Sequence, residues 1–193
     1  MMTRYFLYLA FSLLTACGSP PSPISSTTTT NDVPAPAGTA LIPQVTPIEV
    51  SVRSYNGDLM EPFISPDGQV LLFNNSNDPA INTELHWAWR VNDELFDYQG
   101  LVSGVATSSL EGVPSLDGQG NLYFISTRSY PQTLSTVYRA QLVAGTGTGV
   151  ELVSGLATAA PGRVIFDADI SHDGQRLVLS EGSSAALRRH PIC

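Results

Sequence analysis

The chain has 193 residues, 42% of them apolar, enough for a leader segment and one modest domain. Its formal net charge is −8, with 17 acidic residues against 9 basic ones, all of them arginine; phosphate binding needs a basic footprint, so nucleic acid is excluded as an expected partner. Two cysteines, Cys17 and Cys193, exclude a disulfide framework, and the three histidines, His86, His172 and His190, stand at no metal-ligand spacing.

One basic residue, Arg4, precedes an apolar stretch from Tyr5 to Leu14, and small residues then lead to Cys17 and a Gly18-Ser19-Pro20-Pro21 break. This is the layout of a signal peptide over residues 1–16; about ten apolar residues are too few to span a bilayer, which takes about 20 in a helix. Leu14-Thr15-Ala16-Cys17 resembles the lipobox of bacterial lipoproteins. The resemblance implies that Cys17 is lipidated and anchors the mature chain to a membrane, each buried CH₂ contributing about 0.8 kcal/mol. An ordinary signal peptide with a nearby cysteine is the alternative. Gly18 after the cysteine resembles lipoproteins passed on to the outer membrane, facing the periplasm or the cell surface. Residues 17–47 are rich in Pro, Ser, Thr and Ala, with Ser25-Ser26-Thr27-Thr28-Thr29-Thr30 at their centre. They hold too little apolar surface to fold and read as a disordered linker, with a coil reach of roughly 30 Å.

From residue 48 to 182 the chain repeats itself. Ser65-Pro66-Asp67-Gly68, Ser115-Leu116-Asp117-Gly118 and Ser171-His172-Asp173-Gly174 are three copies of a tight turn, each with an acid four residues earlier: Glu61, Glu111 and Asp167. An apolar run follows each turn: Val70 to Phe73, Leu122 to Ile125 and Leu177 to Leu179. Runs apolar on successive residues predict strands covered on both faces. Third strands are expected over Leu85–Val91, with Leu85, Trp87, Trp89 and Val91 on one face, and over Thr136–Leu142. Fourth strands are expected at the echoing segments around Leu101 to Val105 and Leu152 to Leu156. Four antiparallel strands per unit of roughly fifty residues, stacked face to face, is the pattern of a propeller blade.

The segment Glu61-Pro62-Phe63-Ile64-Ser65-Pro66-Asp67-Gly68-Gln69-Val70-Leu71-Leu72-Phe73 resembles the TolB-like propeller repeat, and the other two copies match it more loosely, with Leu116 and His172 replacing the turn proline. The resemblance spans Glu61 to Gly182. It implies an all-β fold, a partial β-propeller of about two and a half four-stranded antiparallel blades. The family includes translocation-complex subunits, sensor and surface lipoproteins, and propeller caps on peptidases and lyases, so it carries no single activity. Propellers typically close with four to eight blades. After Gly182 the segment 183–193 shows no strand alternation, which reads either as a truncated product or as a short array completed by another copy, a homo-oligomer.

The search for chemistry returns little. Asp167 and Asp169 share a strand face, and calcium takes such oxygens; but Asp167 and Asp173 fill repeat positions, so turn capping and strand-end hydrogen bonds explain them. Gly145-Thr146-Gly147-Thr148-Gly149 lacks the lysine of a phosphate loop and reads as a loop between strands. Ser103 in Gly100-Leu101-Val102-Ser103-Gly104 is off-centre for a nucleophile elbow. Trp87 and Trp89 read as core residues, with sugar stacking as the alternative. No catalytic residue, metal or cofactor is expected. The expected function is that of a lipid-anchored, non-enzymatic cell-envelope protein presenting loops to a protein partner or the cell wall; the alternative is a fragment of a propeller-containing hydrolase or lyase whose catalytic part lies elsewhere.

Overall fold

A computed structural model describes residues 47–78 and 81–184; the expected signal peptide (1–16), Cys17, the expected linker as far as residue 46, and residues 185–193 with His190 and Cys193 lie outside the described residues. The elements in chain order are β1 (Ser51–Arg53), β2 (Met60–Ile64), β3 (Val70–Asn74), β4 (Leu85–Arg90), β5 (Leu95–Leu101), β6 (Glu111–Leu116), β7 (Asn121–Ser126), α1 (Tyr130–Thr133), β8 (Val137–Val143), β9 (Thr146–Leu152), β10 (Arg163–Ile170) and β11 (Leu177–Ser183). The fold is all-β. Three sheets form, ordered β1-β5-β4-β3-β2, β6-β7-β8-β9 and β10-β11. Among the described strands every pairing is antiparallel except β1 with β5, a parallel edge strand that the repeat pattern gives no sign of.

The sheets stack face to face, as the apolar runs require. Leu72 and Leu85 from the first sheet, with Val102 and Val105 from the segment that follows it, meet Leu116, Leu122, Phe124 and Tyr138 from the second. Ile125 and Val137 on the opposite face of the second sheet meet Ile165 and Ala168 of the third. Each large apolar side chain buried this way contributes about 1.5–3 kcal/mol. Among the described residues the third sheet is covered on one face only, and its Val178 is 69% exposed.

The turns explain the register. Ser65 donates to the Asp67 carboxylate and accepts from the Val70 amide, while Asp67 accepts from the Gln69 amide and Gly68 takes φ 73°. Ser171, Asp173, Gln175, Arg176 and Gly174 repeat this arrangement. These donors, the serine hydroxyl first, hold the Asp67 and Asp173 carboxyls below the usual carboxylate range.

The second copy is different. Six residues separate Ile64 from its partner Leu71 and Ile170 from Leu177, but five separate Leu116 from Leu122. Asp117 takes the place of Ser65 and accepts from the Gln119 and Asn121 amides at 2.9 Å each, and the left-handed glycine is Gly120, not Gly118. The expected equivalence of Ser115 with Ser65, and of Glu111 with Glu61, is therefore two residues out. The carboxylate of Asp117 reaches both amides, so neither a separate serine nor the extra residue is needed.

This offset frees Ser115 for another task. Its hydroxyl donates to Asp169 at 2.7 Å and accepts from the Ile170 amide at 3.0 Å, clamping the third sheet to the second. Ser115→Ala leaves the buried Ile170 N–H without that acceptor, an expected loss of about 1–3 kcal/mol. Hydrogen exchange at Ile170 checks this; unchanged protection there would show that the serine does not clamp the sheets.

Two further expectations are corrected. The fourth strands end where the echoing segments begin, because Gly104 and Gly155 turn left-handed at φ 79° and 80°. Val102 and Val105 then point into the core instead of continuing a strand. The segment 145–149 is mostly strand: Ala144 and Gly145, at φ 47° and 75°, make a two-residue hairpin between Val143 and Thr146, and β9 begins at Thr146. Gly147 lies close against Val105, where any β-carbon would collide.

Candidate functional site

The edge strands β2, β6 and β10 lie side by side, β6 packing against both neighbours. Each carries a bulge, between Met60 and Phe63, between Gly112 and Ser115, and between Ile165 and Asp167. Counting from the paired turn positions, Glu61, Val113 and Asp167 occupy one equivalent place in the three strands. Glu61 and Val113 take φ 50° and 53°, a left-handed backbone costly for residues with a β-carbon.

These bulges open a cleft of about 470 Å³ walled by Glu61, Phe63, Pro114, Phe166, Asp167 and Asp169. A second hollow of about 550 Å³ adjoins it at Phe63 and Asp169 and runs to Pro66, Leu116 and His172 at the turns. Aromatic and proline walls with three carboxylates suit a ligand that presents an apolar stem and a positive tip. Burial pushes the Glu61 carboxyl above its ordinary value; the Asn77 and Val113 hydrogen bonds oppose the rise and the Asp167 charge adds to it. The amide of Asn77 donates to Glu61 at 3.3 Å.

Asp167 and Asp169 do share one strand face and line the cleft together, while Asp173 is engaged in its turn. No group of three or more potential ligands converges to hold a metal among the described residues. Ser171 spends its hydroxyl on Asp173 and the Arg176 amide, so the adjacent Ser171, His172 and Asp173 form no nucleophile and base pair. Ser103 bridges to Thr146 at 2.9 Å, a link between the first two sheets. His86 lies far from the turns, in an aromatic cluster on the outer face of the first sheet.

The tryptophans separate. Trp87 packs against the core between the sheets and against Gly145, as expected, but Trp89 is 47% exposed and Val91 48%. The core between the sheets takes in Trp87 and leaves Trp89 and Val91 open to solvent. The pair therefore makes no two-ring platform.

Sequence reading singled out Asp167 and Asp169 but missed Phe63, Val113, Pro114 and Phe166 as cleft walls. Only the equivalence of Glu61 with Asp167 signals the position, and the shortened second turn hides Val113. Neither a protein-family model nor a curated protein sequence matches this chain.

Proposed function

We propose that the protein is a lipid-anchored binding protein of the bacterial cell envelope, non-enzymatic, whose three sheets are blades of a partial TolB-like propeller and whose edge-strand cleft receives a partner protein or cell-wall component bearing a basic group. The meander of four strands outward from β2 and from β6, with β10 and β11 repeating the first two positions, supports the propeller reading. One observation carries the binding reading: three equivalent strand positions converge on one cleft, two of them with left-handed backbone at residues other than glycine. The excess of acid over base supports a cationic partner.

Photo-crosslinking from Phe166 in the full-length chain, kept in its own membranes, tests the cleft. A discrete adduct is expected, reduced at least about tenfold by Asp167→Arg, which reverses one charge at a cost of about 1.4 kcal/mol or more in affinity. An adduct of equal yield in the variant would discard the cleft as the contact surface. Fatty-acid labelling lost in Cys17→Ser supports the anchor, and label retained would remove it.

A further inference from the structure

Segment 47–59 carries the edge strand β1 and then Tyr55, which lies over the outer face of the first sheet, the face turned away from the second. There Val52, Tyr55 and Tyr98 cover the buried side chains of Leu71, Phe73, Ala88 and Phe96. The cover is held by three residue pairs of β1 with β5, by the Ser51 amide on the Glu94 carbonyl at 2.8 Å, and by the ion pair of Arg53 with Asp97. Both of those side chains are solvent-accessible, so their pair adds little.

His86 sits beneath this cover, 8% exposed. Its ring stacks on Phe73 at 5.5 Å and 13°, with the Tyr55 and Tyr98 rings at 5.5 and 5.8 Å. Nδ1 meets the Tyr98 hydroxyl at 2.8 Å, and Nε2 is buried with no hydrogen-bond partner among the described residues. Tyr55, from the covering segment, and Tyr98, from β5, are the titratable groups that face it. Asp58 acts on Tyr55 and Glu84 on Tyr98, and burial alone acts on His86, disfavouring its charged form.

We infer that segment 47–59 is an acid-released cover, with His86 as its trigger. In the neutral imidazole whose Nδ1–H donates to the Tyr98 hydroxyl, the single N–H donor is satisfied and only the Nε2 lone pair lacks a partner. The imidazolium has two N–H donors and a charge, and the closed face offers Nε2 no acceptor; lifting Tyr55 gives it water. Folded His86 is held below its ordinary value, so the closed form is fully favoured above about pH 6.5 and loses ground as pH falls below it. Opening bares Phe73, Phe96 and Leu71, an apolar face that the closed molecule hides.

The test is hydrogen exchange of the full mature chain, corrected for intrinsic rates, at pH 7.5 and 5.5. Protection of residues 51–55 is expected to fall by up to about tenfold per pH unit below 6.5, one proton being taken up, while the second sheet keeps its protection. His86→Phe, which keeps the stacking and removes the proton, is expected to abolish the dependence. Flat protection in the native chain, or an equal fall in the variant, overturns the inference. Should the variant not fold, the ring titration of native His86 followed by magnetic resonance decides: a midpoint below 6.5 with Tyr55 signals moving in step supports it, and a midpoint at or above 6.5, or still Tyr55 signals, overturns it.

Discussion

Arg128→Ala is expected to lower stability by about 3–5 kcal/mol, because it strands a carboxylate inside the domain. Glu111 is 0% exposed and accepts from the Thr107 amide at 2.9 Å, the Thr107 hydroxyl at 2.7 Å, the Ser126 hydroxyl at 2.9 Å and Arg128 at 3.1 Å. Arg128 also donates to the Val105 carbonyl at 2.6 Å, and its guanidinium lies 5.5 Å from the Phe124 ring centre and 4.9 Å from that of Tyr138. It is the countercharge and also a flat plug over the core between the first two sheets. Urea unfolding measures the loss. A double-mutant cycle with Glu111→Gln separates the charge term, since the amide needs no counterion: the double variant should recover part of the deficit. A loss below about 1 kcal/mol for the single variant would mean that water reaches Glu111 and replaces Arg128 as its partner.

The second large effect is a contrast between two repeat positions. Gly104 and Gly155 follow the equivalent strands β5 and β9, and both are left-handed. A β-carbon on Gly104 would overlap the Gly147 carbonyl oxygen, whereas at Gly155 it meets open space. Gly155→Ala thus costs the backbone term alone, about 1–2 kcal/mol. Gly104→Ala adds an overlap with backbone that cannot rotate away, about 1–3 kcal/mol more, for a total of about 2–5 kcal/mol. Thermal or urea midpoints of the two variants check the difference. Equal losses would show that β9 moves aside without penalty and that the two sheets are not locked by this approach.

The sequence is most legible where one residue type has one use. Gly68 and Gly174 in Asp-Gly turns, and the doubly apolar runs Leu71 to Phe73 and Leu122 to Ile125, give strands, turns and burial before any coordinates. It is least legible where two residue types serve one purpose. Asp117 does the work of both Ser65 and Asp67, so a motif match slides by two residues and carries Glu111 into a place that Val113 holds. The acid that looked like a repeat marker is instead the buried partner of Arg128. Val102 and Val105 mislead for a related reason: apolar residues after a strand look like more strand until the left-handed Gly104 shows the chain turning inward. Of the cleft, the two aspartates on β10 were visible by alternation, but the walls come from three strands far apart in sequence, and only stacking of the sheets brings them together.

The place of β1 sets a distance. The chain enters the domain at the outer edge of the first sheet and the cleft opens at its inner edge, with β5, β4 and β3 between them. Four strand spacings amount to about 19 Å. The point where the chain reaches β1 and the cleft therefore lie at opposite margins of one sheet, so a bulky occupant of the cleft would have room there without crowding the segment that leads into β1.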